Sequence, residues 1–257
     1  MAGAIAGIES QMTPSSVRPV NQLRAVIFDM DGVIVDSHPA HRVAWRHFLH
    51  DLGREVSDQD LDFILDGRKR REILRHFLGE LSETELLEHG KRKDEFFQRS
   101  GLQMKPIPGI GEFIRGLKKN KILTAVATSA SLARTRSTLA GLHLTDYFDA
   151  TVTSNDIAEG KPDPAIYRLA CERLNTSPHQ AIAIEDAVSG IHAARAAGLR
   201  CLGLAKGDLA GQLTCAGAID VIESFSGFSF GELKTLFFDS RPERGNSASV
   251  LAAYQDK

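Results

Sequence analysis

The stretch Ala25-Val26-Ile27-Phe28-Asp29-Met30-Asp31-Gly32-Val33-Ile34-Val35-Asp36 decides the fold. Its first four residues are apolar without alternation, as in a strand buried on both faces of a parallel sheet. Two carboxylates follow at i and i+2, and a glycine comes directly after them. Acids at the carboxyl end of a central strand stand where open α/β sheets bind their ligands. Two like charges so close are costly unless a cation or a shared proton relieves them. The pair therefore predicts a metal-dependent acid site.

Downstream the pattern changes. Ala44, Phe48 and Leu52 recur at steps of four, as do Leu61 and Leu65, then Ile73 and Phe77. Asp66-Gly67 and Leu78-Gly79-Glu80 punctuate this helical region. It predicts an inserted bundle of four or five helices over residues 38–105, with Pro106 and Pro108-Gly109 marking the return. Helices over 110–119, 132–139, 164–174 and 190–197 then alternate with strands over 122–128, 150–153, 181–184, 201–204 and 220–222. Alternation of this kind predicts an α/β protein with a doubly wound parallel sheet and right-handed crossovers. The expected domains are a core over 23–37 and 106–238 and a helical cap over 38–105. Residues 1–22 read as a disordered tail, and 239–257 as a loose tail or a short docking helix around Val250-Leu251-Ala252-Ala253-Tyr254.

The 257 residues suffice for one large domain or two small ones. A net charge of -2 offers no field to attract nucleic acid or a membrane surface. No apolar run is long enough to span a bilayer. Cys171, Cys201 and Cys215 lie far apart and read as reduced, buried thiols of a cytoplasmic protein. A monomer is the expectation.

Three further polar groups fall at strand ends or in the loops after them: Thr128-Ser129, Gly160-Lys161-Pro162-Asp163-Pro164 and Glu185-Asp186. All would crowd the rim that carries Asp29 and Asp31. Hard oxygen ligands without clustered His or Cys suit Mg²⁺. A carboxylate nucleophile such as Asp29 forms an acyl-phosphate, and an acid such as Asp31 protonates the leaving oxygen and later activates water. Thr128 and Lys161 would bind the phosphate oxygens. The chemistry pointed to is phosphoryl transfer on a small phosphorylated metabolite. Asp186 also stands where it could cap the helix that follows. His38-x-x-His41 and His47-x-x-His50 have helical spacing but lack a third ligand, so zinc is not expected.

In order, Asp29-Met30-Asp31-Gly32, Thr128, Lys161-Pro162 and Glu185-Asp186 resemble the motifs of the haloacid dehalogenase (HAD) superfamily of phosphatases and phosphomutases. The resemblance implies a HAD-like Rossmannoid core. It implies Asp29 as nucleophile, Asp31 as general acid/base, and Thr128, Ser129 and Lys161 as phosphate binders. It also implies Mg²⁺ held by Asp29, Asp186 and Glu185, with the main-chain carbonyl of Asp31. Superfamily ATPases carry threonine where Asp31 stands, and dehalogenases lack the acidic pair, so phosphate-ester chemistry is implied. The helical insertion resembles the small cap of the β-phosphoglucomutase-like subgroup. By that likeness Arg70, Lys93 and His41 are candidate substrate residues of the cap, and Trp45 packs its core. Two departures stand out: Asp66 where the mutases carry lysine, and Ala130-Ser131-Leu132 in place of a Ser-Lys-Asn segment. They favour a sugar-phosphate phosphatase, with a β-phosphoglucomutase-type mutase next and a non-catalytic sugar-phosphate binder last.

Overall fold

A computed structural model describes residues 22–99 and 104–238. The tails expected at 1–22 and 239–257 lie outside the described residues, Gln22 excepted. The strands are β1 (Ala25–Phe28), β2 (Val35–Asp36), β3 (Lys105–Pro106), β4 (Leu123–Ala127), β5 (Ala150–Val152), β6 (Ala181–Glu185), β7 (Arg200–Leu204) and β8 (Asp220–Ile222). The helices are α1 (His38–Asp51), α2 (Asp58–Leu65), α3 (Arg70–Leu78), α4 (Glu83–Arg99), α5 (Ile110–Lys119), α6 (Leu132–Gly141), α7 (Ala165–Arg173), α8 (Val188–Ala196), α9 (Asp208–Ala216) and α10 (Phe230–Phe238).

Six strands form one sheet in the order β5-β4-β1-β6-β7-β8, every neighbouring pair parallel. Strand β1 is wholly buried, as its unbroken apolar run requires. Its side chains alternate between two cores. Val26 and Phe28 pack with Phe113, Ile114 and Leu233 on one face, while Ala25 and Ile27 pack with Ile166, Tyr167 and Ile191 on the other. The sheet is therefore covered on both sides, the doubly wound arrangement expected. From β1 the sheet grows first through β4 and β5 and then, on the opposite side, through β6, β7 and β8. The carboxyl end of β1 is thus the topological switch point, where the crevice for a ligand opens.

Between β2 and β3 the chain makes four helices among the described residues. Trp45, Phe48, Leu49, Leu61, Ile64, Ile73, Leu74 and Leu86 give them a hydrophobic cluster of their own. Helix α2 starts on a capping box: the Asp60 amide donates to Ser57 Oγ at 3.2 Å, and the Ser57 amide donates to Asp60 Oδ2 at 2.7 Å. Two features escaped the sequence. The antiparallel ribbon of β2 and β3, pairing Val35 with Pro106 and Asp36 with Lys105, ties the two crossings into the helical segment. A two-residue strand has no periodicity to read. Helices α9 and α10 were not expected either; α9 carries Gly211 in its middle and few large apolar residues, which blurs its period. The cysteine reading needs one correction: Cys171 and Cys201 are buried and free, but Cys215 is exposed, because it lies on the outer side of α9. No helix among the described residues is long and apolar enough to cross a membrane.

Candidate active site

Asp29 follows β1 directly, and its amide donates to the Ile184 carbonyl at 3.0 Å, so the sheet register extends through it. The chain then turns at Gly32, whose φ of 78° lies in the left-handed region. A Cβ there would stand 1.8 Å from Asp186 Oδ2. Glycine is needed for both reasons: the turn folds back and the carboxylates close in behind it.

Lys161, fully buried, lies beneath this turn. Its ammonium donates to Asp29 Oδ1 and Glu185 Oε1, each at 2.5 Å, and to the Ala127 carbonyl at 3.3 Å. The Tyr167 hydroxyl donates to the same Glu185 oxygen, and the Asp186 amide donates to Glu185 Oε2 at 3.2 Å. Gly190 in α8 makes room for this carboxylate: a Cβ would fall 2.1 Å from its carbon. Oxygens of Asp29, Glu185 and Asp186 all lie within 4.8 Å of one another. One lysine cannot neutralise three buried acids. Burial, softened by Lys161, pushes the Asp29 carboxyl up to about 7. Burial and then the nearby Asp29 push Asp186 well above the ordinary carboxylate range. For Lys161 burial works against the charge, but Asp29 and Glu185 more than offset it and its ammonium is strengthened. A set of hard oxygen donors short of positive charge fits a divalent cation such as Mg²⁺.

Asp29, Asp31, His41, Arg70, Lys93, Thr128, Ser129, Glu185 and Asp186 all line one cavity of about 500 Å³ between the sheet rim and the cap helices, a volume suited to a small metabolite. Lys161 is behind that wall, reaching the site through Asp29 and Glu185. The Thr128 amide donates to the Val152 carbonyl at 3.0 Å, and its Oγ1 accepts from the Ala130 amide at 3.1 Å. The Ser129 hydroxyl donates to the Gly67 carbonyl at 2.6 Å, so its proton is committed to the cap loop.

Asp186 does not cap α8, contrary to one sequence reading; Ala187 is the N-cap residue and makes no side-chain cap bond. Asp66, from the cap segment, supplies that acceptor: its Oδ1 accepts from the Ser189 amide at 3.0 Å. Lys69 of the same loop, also missed, donates to the Ile157 and Ala158 carbonyls at 2.6 and 2.8 Å. The cap loop is thus docked on the core.

Asp31 faces the cap wall. Its Oδ1 accepts from Ser37 Oγ at 2.5 Å and from Arg134 Nη1 at 2.8 Å, and its Oδ2 pairs with Arg134 Nη2. Burial raises this carboxyl, but the Arg134 guanidinium outweighs it and holds Asp31 well below the usual range. Ser37 is the N-cap residue of α1 yet makes no cap bond, because its hydroxyl serves Asp31. His41 Nδ1 accepts from Lys93 Nζ at 3.0 Å, and burial, then the Lys93 charge, push His41 down to about 3. Burial, then Arg134 and Arg70, push Lys93 down to about 7. Arg70 is paired with Asp94 at 2.7 Å. Trp45 packs in the cap cluster, with the Lys93 ammonium 5.4 Å from its ring.

Sequence reading found the rim but missed Arg134, Ser37 and Tyr167. Arg134 did carry a signal: it is a cation in the first turn of α6, where the helix dipole disfavours positive charge.

The fold is that of an α/β enzyme, and its carboxylate rim gathers at the carboxyl ends of β1, β4 and β6. A family model described as haloacid dehalogenase-like hydrolase matches residues 26–204, and the chain belongs to that family. It is 35% identical over 179 residues to a phosphorylated carbohydrates phosphatase of Thermotoga maritima, covering 69% of this chain and 82% of that one. It is 34% identical over 194 residues to the β-phosphoglucomutase of Bacillus subtilis, covering 72% and 84%. Among solved structures, β-phosphoglucomutase from Clostridium difficile superposes with a TM-score of 0.74 at 26% identity, covering 84% of this chain and 97% of that one.

Proposed function

We propose that the protein is a Mg²⁺-dependent phosphatase that hydrolyses a small phosphorylated metabolite, a sugar phosphate by class, through a phosphoryl-Asp29 intermediate. One observation carries the reading: Asp29, at the switch point of the sheet, shares a buried cluster within 4.8 Å with Glu185 and Asp186 and is held by Lys161 at 2.5 Å. The relatives, which include phosphatases of phosphorylated carbohydrates and of fructose 1-phosphate, support the substrate class.

Asp29 attacks phosphorus with a carboxylate oxygen, the P–O bond to the ester oxygen breaks, and Asp31, which must be protonated when the ester binds, delivers that proton to the departing alkoxide. Asp31 then takes a proton from water as it attacks the phosphoryl-Asp29, releasing inorganic phosphate and restoring the Asp29 carboxylate. Lys161 keeps the Asp29 oxygen oriented, and Thr128 with neighbouring backbone amides donates to the phosphoryl oxygens. Asp29, Glu185 and Asp186 would hold Mg²⁺, which supplies charge neutralisation for the phosphoryl group. The cap loop docked through Asp66 and Lys69 excludes bulk water.

The test is phosphate release from a panel of sugar phosphates at fixed Mg²⁺, repeated in EDTA. Release that stops on chelation is expected; undiminished release would remove the metal. A phosphomutase is the second reading, favoured by the likeness to β-phosphoglucomutases. β-Glucose 1-phosphate with catalytic glucose 1,6-bisphosphate separates the two: glucose 6-phosphate formed without free phosphate would reverse the preference.

A further inference from the structure

Helix α8 begins without an acceptor of its own. Ala187, its N-cap residue, has no side chain that can accept, and Asp186 before it belongs to the carboxylate rim. The Ser189 amide, in the first turn, is taken instead by Asp66 Oδ1 at 3.0 Å, across 123 positions of chain. That is the bond an N-cap side chain makes to its own helix. Here the acceptor comes from the cap segment.

Asp66 is ill placed for the helix it ends. It is the C-cap residue of α2, where the helix dipole disfavours an acid. At the N-terminus of α8 the same charge is favoured. The contact is broad: the Ser189 hydroxyl donates to the Asp66 carbonyl, and the Ser129 hydroxyl donates to the Gly67 carbonyl. Gly67, at a φ of 71°, lies so near the core that a Cβ would stand 3.1 Å from Ser189 Oγ and 3.4 Å from Lys161 Cδ.

Glu185 and Asp186 lie directly before α8, so whatever fixes its first turn fixes the backbone that carries both acids. Charge acts in the same direction. Burial raises the Asp66 carboxyl, the Ser189 amide and Arg68 lower it, and the Glu185 charge raises it again. A cation on Glu185 would relieve that last repulsion.

We infer that Asp66 is a positioning residue: from the cap segment it supplies the missing N-cap of α8, so that docking of the cap and seating of a divalent cation by Glu185 and Asp186 favour one another. This coupling rests on the metal-dependent reading above. It is reciprocal by linkage: freeing Asp66 weakens the cation, and the cation tightens the cap.

The test reads the metal and the cap without turnover. Spin labels go on Cys215, which is exposed in α9, and on Glu88→Cys at an exposed position of α4, while Cys171 and Cys201 are buried. Double electron–electron resonance gives the distance between the labels with and without Mg²⁺, and calorimetry gives the Mg²⁺ affinity. In wild type, Mg²⁺ should narrow the distance distribution. Asp66→Ala should broaden it and weaken Mg²⁺ binding on the order of 10-fold. Asp66→Asn, whose side-chain oxygen still accepts from the Ser189 amide, should restore most of both. Wild-type affinity in Asp66→Ala would overturn the inference, as would Asp66→Asn binding no better than Asp66→Ala, which would leave only a charge effect. If Asp66→Ala melts far below wild type, Ser189→Ala decides by the same readouts: it removes only the hydroxyl bond to the Asp66 carbonyl, and a smaller loss of the same sign is expected, no loss contradicting the coupling. The two levels stay apart. A wild type that binds no Mg²⁺ sinks the metal-dependent reading and the coupling with it, whereas tight binding in both wild type and Asp66→Ala sinks only the coupling.

Discussion

The two walls of the cavity solve opposite problems. On the sheet rim three buried acids crowd around one lysine, and the wall is short of positive charge. On the cap side Lys93 feels the charges of both Arg134 and Arg70, so its surroundings are short of negative charge. The rim is a fixed lattice in which Tyr167, Gly190 and the Asp186 amide all support Glu185. The cap wall is held by separate side-chain pairs, Arg70 with Asp94 and Lys93 with His41. On the function proposed above, the rim would carry the chemistry and the cap wall the recognition of the substrate.

Breaking the rim should cost most. Lys161→Met leaves Asp29 and Glu185 buried without their cation. It should destabilise the fold by about 3–5 kcal/mol and lower kcat about 10²–10³-fold, measured by denaturant melts and phosphate release. A variant as stable as wild type would show that the rim is not the charge lattice described. Next, Asp31→Asn removes the proton transfer and should cost about 10²–10⁴-fold in kcat, and because it leaves the Arg134 guanidinium without its carboxylate it should also lower stability.

The charge deficit of the rim makes a separate forecast. Mg²⁺ should raise the melting temperature, by the equivalent of about 2.7 kcal/mol at a hundred times its dissociation constant. Asp186→Asn should abolish most of that shift, read by calorimetry without any substrate. An undiminished shift in Asp186→Asn would move the metal elsewhere.

The smallest effect belongs to the cap wall. Lys93 is held at about 7, so its charge is lost as pH rises through neutrality, and KM for an anionic ester should climb there. The stability sign is opposite. Between about 7 and the ordinary lysine value the unfolded chain binds more protons than the folded one, so this group's contribution to stability rises with pH over that window. Lys93→Met should therefore melt higher at pH 7, by on the order of 1–4 kcal/mol, while binding substrate less well. Lower stability and unchanged KM would show that Lys93 is structural.

The same division explains what the sequence disclosed. Asp29, Thr128 and Asp186 each end or follow an apolar strand, so a local run of residues announces both the strand and the acid or hydroxyl beyond it. Parallel pairing then brings those ends together without further information. The cap wall has no such rule. Contacts made across the cavity mouth are equally hidden: Arg134 of core helix α6 meets Asp31 across 103 positions, and Asp66 of the cap reaches Ser189 across 123. Ser37 was hidden for a different reason: it looks like an N-cap, and only the structure shows its hydroxyl turned to Asp31.

The central claim is that Asp29 carries the phosphoryl group. Acid quench during turnover of a sugar phosphate, followed by borohydride reduction and peptide mapping, tests it directly, since an acyl-phosphate is reduced to the alcohol. Homoserine at position 29, formed only with substrate present and Mg²⁺ bound, is the predicted result. Steady phosphate release with an unmodified Asp29, or a phosphoryl group recovered on another residue, would contradict it.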